Sequence, residues 1–253
     1  MTRRRWIADE FSDDRAALTG AHAAHLSRTL RARVGQAFEV ACGDRVRRAT
    51  VTGVRDDRVE FTLGEDVAAS VAVPITLLLA IFKFDRMEWA VEKCTELNVT
   101  TIVPVIARRT ETHLALAASK RVERWRRIAR EASEQSRRAS PSEIREPLNV
   151  KDALLFVIPT EDSSPSGGIC GFPKSDLRIV LAETEREVTL SAILRAQDNL
   201  TSLALAIGPE GGWTADELQT FAQSHWLAAS LGDTILRAET AAIAALAIAR
   251  AEV

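Results

Sequence analysis

The chain reads as an α/β fold, a mostly parallel sheet with helices around it, preceded by a small β-rich domain. Three observations predict this. Short apolar runs separated by Gly and Asp turns fill residues 1–70. From residue 71 onward, longer aliphatic runs alternate with stretches of helical periodicity, the pattern of repeated βα units. Two backbone-rich turns, 207–214 (IGPEGGWT) and 231–241 (LGDTILRAETA), each close an apolar run near the C-terminal end. With 253 residues the chain is long enough for two domains, drawn here as 1–70 and 71–253.

In the first domain, strands are expected at 37–41, 49–54 and 59–63, split by the turns Cys42-Gly43-Asp44, Arg55-Asp56-Asp57 and Gly64-Glu65-Asp66. The alternation Val59-Glu60-Phe61-Thr62-Leu63 suits a half-buried strand. Residues 20–31 break the pattern, and Leu26 and Leu30 share one face of a short helix. A small barrel with one helical excursion is the simplest reading.

In the second domain, 71–80 is a strand buried on both faces. Asp85-Arg86-Met87-Glu88 has capping-box spacing, and Met87, Val91 and Cys94 then line one helical face. A strand follows at 99–106. A helix starting near Ser119 carries Val122, Trp125, Ile128 and Ala132. Further strands are expected at 154–158, 177–182, 203–207 and 226–230, with a Ser, Pro and Gly-rich loop at 161–171. A short helix spans 190–194. Thr214-Ala215-Asp216-Glu217 is a second capping box that opens another helix. The nearly all-apolar stretch 240–249 predicts a helix that is buried or forms a subunit contact.

Composition narrows the function classes. Apolar residues make 46% and charged residues 27% of the chain, ordinary for a globular protein, and no apolar run reaches membrane-spanning length. No secretion signal is evident at the start, so cytoplasmic residence is expected. Cys42, Cys94 and Cys170 lie far apart, and His22, His25, His113 and His225 are scattered, so no metal site is expected. The net charge is −2, yet residues 1–60 hold twelve Lys/Arg against nine Asp/Glu, and 120–138 is again basic. Such patches steer a polyanion or simply solvate a helix face.

The two C-terminal turns carry the chemistry. Pockets outside the carboxyl ends of parallel strands are the usual ligand position in open α/β folds. Backbone groups there recognise a heterocycle edge, and Leu231, Ile235 or Leu236 supply an apolar wall. Arg237 and Glu239 are the nearby charges. There is no GxxxxGK[ST] cradle, no early GxGxxG and no GxSxG elbow, which disfavours nucleotide hydrolysis, dinucleotide redox chemistry and a serine hydrolase.

Several segments together resemble the RsmE family, ribosomal RNA small-subunit methyltransferases that modify N3 of a uridine. They are 25–31 (HLSRTLR), 84–99 (FDRMEWAVEKCTELNV), 124–138, GPEGGWT and LGDTILRAETA. The resemblance covers almost the whole chain. Phe84 and Asn98 stand where the family often has Gly, and Asn tolerates left-handed backbone better than most residues. The resemblance implies a PUA-like or OB-like RNA-binding domain, a SPOUT domain with a trefoil knot, S-adenosylmethionine (SAM), a 16S rRNA substrate within a small ribosomal subunit, and a homodimer. It places the cofactor against Leu181, Glu183, Ile207, Gly208, Glu210, Gly211, Gly212, Leu231, Gly232, Ile235, Leu236 and Ala238.

On this reading Arg237 holds a uracil carbonyl edge as the base loses its N3 proton, or else fixes the turn by pairing with Glu239. Glu210 orients the loop, holds substrate, accepts a proton or caps a helix. Arg3, Arg4, Arg5, Arg28 and Arg31 are candidate RNA contacts, with Arg86 and Lys93 as interface or RNA-facing residues. Trp6 is a core anchor in preference to a stacking residue. The competing functions are a non-enzymatic RNA-binding protein and a ribose 2′-O-methyltransferase of the same superfamily.

Overall fold

The computed structural model describes residues 5–43, 45–67, 72–157 and 176–253. Arg3, Arg4, Cys170, Ile158 and the 161–171 loop lie outside them. The chain divides into two compact units, one of residues 1–71 with 130–141 and the other of 72–129 with 142–253.

The first unit is a curled sheet of six strands: β1 (Trp6–Ile7), β2 (Glu10–Phe11), β3 (Arg15–Thr19), β4 (Ala37–Cys42), β5 (Arg45–Val54) and β6 (Arg58–Asp66), in the order β1-β4-β5-β6-β3-β2. Among the described residues, only the β1–β4 pair of this sheet is parallel. Two register shifts along β5–β6 bend the sheet, as bulges do. Alternate positions Val59, Phe61 and Leu63 point inward beside Trp6, Leu18, Phe38 and Val51, as the period-two pattern requires. Trp6 is fully buried, so it is a core residue.

The helical excursion is α1 (Gly20–Ala24) followed by a π-turn at His25–Thr29. That wider turn carries Leu30 off the face occupied by Leu26. Leu26 is fully buried while Leu30 is 40% exposed, which corrects the expected shared face. Segment 130–141 completes this unit. Arg130 donates to the Ile7 carbonyl and to Asp9 Oδ1, both at 2.8 Å, and the Arg5 N–H donates to the Glu134 carbonyl at 3.3 Å.

The second unit is built on a parallel sheet. Its elements are β7 (Ile75–Ala80), α2 (Phe84–Glu96), β8 (Thr101–Ile106), α3 (Thr112–Ala117), α4 (Val122–Gln135, its end counted with the first unit), β9 (Glu143–Ile144), β10 (Leu148–Asn149), α5 (Val150–Val157), β11 (Leu177–Leu181), α6 (Leu190–Arg195), β12 (Leu203–Ile207), α7 (Ala215–Gln223), β13 (Leu227–Ala229) and α8 (Ala238–Glu252). The strand order is β10-β8-β7-β12-β11-β13, with β9 beside β8.

Both faces of this sheet are covered. Leu77, Leu79, Leu205 and Ile207 pack with α2, α6 and α8, while Leu78, Ala80, Ala204 and Ala206 pack with α5 and α7. These strands therefore read as unbroken apolar runs. After β13 the chain pairs Ser230 with Val188 and Leu190, and α8 then returns to the face that carries α2 and α6. Ala242, Ala245, Leu246 and Ala249 bury that helix in the core of its own unit.

Three expectations are corrected. Residues 154–157 are helical, because Asn149 Oδ1 accepts from the Asp152 N–H at 3.0 Å and starts α5; a short apolar run does not distinguish helix from strand. The Asp85–Glu88 spacing forms no capping box. Helix α2 already begins at Phe84, and Glu88 instead accepts from Arg124 at 2.6 and 2.7 Å. Helix α4 begins at Val122, after a 3₁₀ turn at Ala118–Arg121.

Candidate functional site in the parallel-sheet unit

Strands β11, β12 and β13 are neighbours or near neighbours, so their carboxyl ends deliver three loops to one place. There they enclose a cavity of about 420 Å³, within the range of small-molecule sites. Leu181 and Glu183 come from the first loop, Ile207, Gly208 and Gly212 from the second, and Leu231, Gly232, Ile235, Leu236 and Ala238 from the third. Glu210 and Gly211 belong to the second turn but do not line the cavity.

Local chemistry fixes the second turn. Gly212 has φ +68°, and its N–H donates to the Pro209 carbonyl at 2.8 Å. The chain then enters α7 through a complete capping box. Thr214 Oγ1 accepts from the Glu217 N–H at 3.3 Å, and Glu217 Oε2 accepts from the Thr214 N–H at 2.8 Å. The other Glu217 oxygen accepts from the Arg108 N–H at 2.7 Å, and Arg109 donates to the Gly211 carbonyl. The loop after β8 thus braces the turn from outside. Trp213 seals its inner wall, edge-on to Phe221 at 5.0 Å, which in turn meets Trp226 at 5.1 Å.

The third loop differs. Gly232 has φ +115°, a conformation open only to glycine in practice. No hydrogen bond to or from residues 231–236 is made among the described residues. Main-chain donors and acceptors in this exposed loop without protein partners are open to water or to a ligand in the cavity. Leu231 and Leu236 are half-buried, whereas Ile235 is 80% exposed. In the first loop the N–H groups of Val188 and Glu187 hold the Glu185 carboxyl below its usual range.

Charges gather beside the cavity. Arg86, in the first turn of α2, places Nη1 3.3 Å from Glu210 and 3.3 Å from Glu239. Glu239 therefore pairs with Arg86 and not with Arg237. Arg237 is exposed, and its side chain makes no hydrogen bond or ion pair among the described residues. Sequence reasoning named Arg86 for a different role and missed Arg109 altogether; both partnerships join distant segments.

The remaining cations are placed differently. Lys93 pairs with Glu92 at 2.7 Å and Glu96 at 2.9 Å on its own helix. Arg5 is mostly buried and paired with Glu39 at 3.0 Å. Arg28 is exposed and meets Asp56 at 3.0 Å, while Arg31 is exposed with φ +51°. Asn98 has φ +65°, the left-handed geometry expected at that glycine-like position. Among the described residues no cluster of His, Cys, Asp or Glu could hold a metal, and no helix is long and apolar enough to cross a membrane.

Residues 69–250, which include this cleft and the sheet that bears it, match the family model described as an RNA methyltransferase domain. The ribosomal RNA small subunit methyltransferase E of Rickettsia conorii is 34% identical over 179 residues, 70% of this chain and 64% of that protein's length. Its counterpart in Synechocystis is 30% identical over 231 residues, 91% of this chain and 71% of that protein. The solved Neisseria gonorrhoeae ribosomal RNA small subunit methyltransferase E, bound to S-adenosyl methionine, superposes with TM-score 0.76 at 28% identity, over 96% of this chain and 95% of that one. The chain belongs to the ribosomal RNA small subunit methyltransferase E family. The curled sheet and the parallel sheet together are the small barrel and SPOUT-type fold of that family.

Proposed function

We propose that this protein transfers a methyl group from SAM to N3 of one uridine in small-subunit rRNA. The observation that carries this reading is the cavity between the 208–212 and 231–238 turns, whose third loop offers unpaired main-chain groups. The residues present fit SAM: Leu231, Leu236 and Ile207 give an apolar wall for a purine, and the 231–236 backbone gives donors and acceptors for its edge. When bound, SAM would supply an electrophilic sulfonium methyl for the uracil N3, with sulfur keeping the S–C electron pair and the N3 proton lost from the base.

The chain's own work is alignment and charge stabilisation. Arg237, exposed and without a partner among the described residues, next to cavity residues Leu236 and Ala238, holds the O2 or O4 edge and favours the deprotonated uracil. Glu210, engaged by Arg86, orients its turn and is not the base. The first unit is the RNA-binding part, with Arg28 and Arg31 as phosphate contacts on its surface. A trefoil knot in the C-terminal part of the chain, a homodimer and cytoplasmic residence on ribosomal particles complete the proposal.

The test is methylation of small-subunit particles from a deletion strain, read by nucleoside mass spectrometry. N3-methyluridine is the expected product. A methylated ribose would replace the acceptor with the 2′-hydroxyl, and bound SAM without transfer would favour a binding protein. Arg237→Ala is expected to cut kcat by about a hundredfold with SAM affinity unchanged; an unaltered rate refutes its role.

A further inference from the structure

Arg86 stands where a cation is unfavourable. It lies in the first turn of α2, whose N-terminal end carries the positive pole of the helix. Two carboxylates offset this. One, Glu210, sits in the middle of the second turn at the cavity; the other, Glu239, sits in the first turn of α8, two residues past Arg237. Glu239 is only 6% exposed, and its second oxygen, Oε2, has no hydrogen-bond partner among the described residues. A carboxylate that deeply buried is retained only against a fixed partner, because the unpaired charge is costly. Arg86 is that partner, and the same nitrogen reaches the turn that ends at Gly212.

Helix α2 packs Met87, Val91 and Cys94 against α8, so Arg86 projects from a rigid base. We propose that Arg86 is a positioning residue that locks the 208–212 turn to the start of α8 and thereby fixes Arg237 across the mouth of the cavity. The inference rests on the methyl-transfer reading above. It assigns Arg86 no contact with SAM or RNA; Arg86 acts through Glu210 and Glu239.

The test compares wild type, Arg86→Lys, Arg86→Ala and the double variant Arg86→Ala/Glu239→Gln. Four quantities are measured: melting temperature, SAM affinity by calorimetry, kcat and KM on small-subunit particles, and hydrogen exchange of residues 210–212 and 241–243 in the ligand-free protein, segments that include the hydrogen-bonded Gly212 and Ala241 amides. Arg86→Ala is expected to lower kcat about tenfold or more, to leave SAM affinity within about twofold, and to speed exchange in both segments. Arg86→Lys recovers part of the rate. The double variant removes the orphaned charge, so its melting temperature returns toward wild type while kcat stays low. A double variant that regains both stability and rate would make Arg86 a stability residue only and overturn the proposal. So would unchanged exchange in Arg86→Ala. A wild type that neither binds SAM nor transfers methyl would instead sink the underlying reading, and the exchange result would still decide the lock.

Discussion

Replacing Arg250 is expected to loosen the parallel-sheet unit more than any exposed arginine would. Arg250 lies in the last turn of α8 and serves three main-chain carbonyls: Leu97 at 3.2 Å through Nε, Val73 at 2.6 Å through Nη1, and Asn98 through Nη2. Two of these acceptors terminate α2, where helix carbonyls lack partners of their own; the third lies just before β7. No carboxylate takes part, and burial pushes the guanidinium below its usual range while it stays protonated. Charge-assisted bonds are worth about 1.5–3 kcal/mol each, and partial access to water together with non-additivity reduces the total. A loss of about 3 kcal/mol for Arg250→Ala follows, with Arg250→Met the same and Arg250→Lys about half. Urea unfolding monitored by tryptophan emission measures it, since Trp125, Trp213 and Trp226 are buried reporters in this unit. If Arg250→Ala lost less than about 0.5 kcal/mol, the carbonyls would be satisfied by water and the latch would be unimportant.

Cys94 is fully buried, and desolvation pushes its thiol up to about 12. The folded value exceeds the unfolded one, so the folded state holds the proton more tightly and stability falls as pH rises above about 9. Native protein is expected to resist thiol reagents at Cys94, with labelling mapped by peptide mass spectrometry appearing only in denaturant; prompt native labelling refutes the burial argument. Gly232→Ala forces a Cβ residue to φ +115° in the loop that walls the cavity. SAM affinity measured by calorimetry should drop about tenfold or more while the melting temperature falls by only about a few degrees, and an unchanged affinity would remove that loop from the binding site.

Much of this was legible locally, and the boundary has a physical cause. Thr214 and Glu217 are three residues apart, so their reciprocal cap is written in the spacing. The two-sided burial of 75–80 and 203–207 is written in their unbroken aliphatic composition. Residues 154–157 read locally as a strand because the cue that makes them helical is the cap at Asn149, which lies outside the apolar run. Leu30 leaves the face of Leu26 because a π-turn breaks the four-residue repeat without a marker in composition. Arg86 meets partners 124 and 153 residues away, and Arg109 meets one 102 residues away. Such pairs depend on strand order, which no local periodicity encodes. The apolar stretch of α8 left open burial or a subunit contact, and the core of its own unit takes the face of Ala242, Ala245, Leu246 and Ala249.

Segment 130–141 bears on how the protein is made. Translation delivers the six strands of the curled sheet first, but the groups that satisfy Ile7, Asp9 and the Arg5 N–H arrive only with Arg130 and Glu134. During vectorial synthesis the N-terminal sheet must wait, incomplete, while β7, α2, β8, α3 and most of α4 leave the exit tunnel. A nascent chain arrested after residue 71 therefore lacks the partners of Ile7, Asp9 and the Arg5 N–H, and one arrested after residue 141 has cleared the tunnel has them. Expression libraries cut at the apparent boundary near residue 70 would inherit the same defect in both halves.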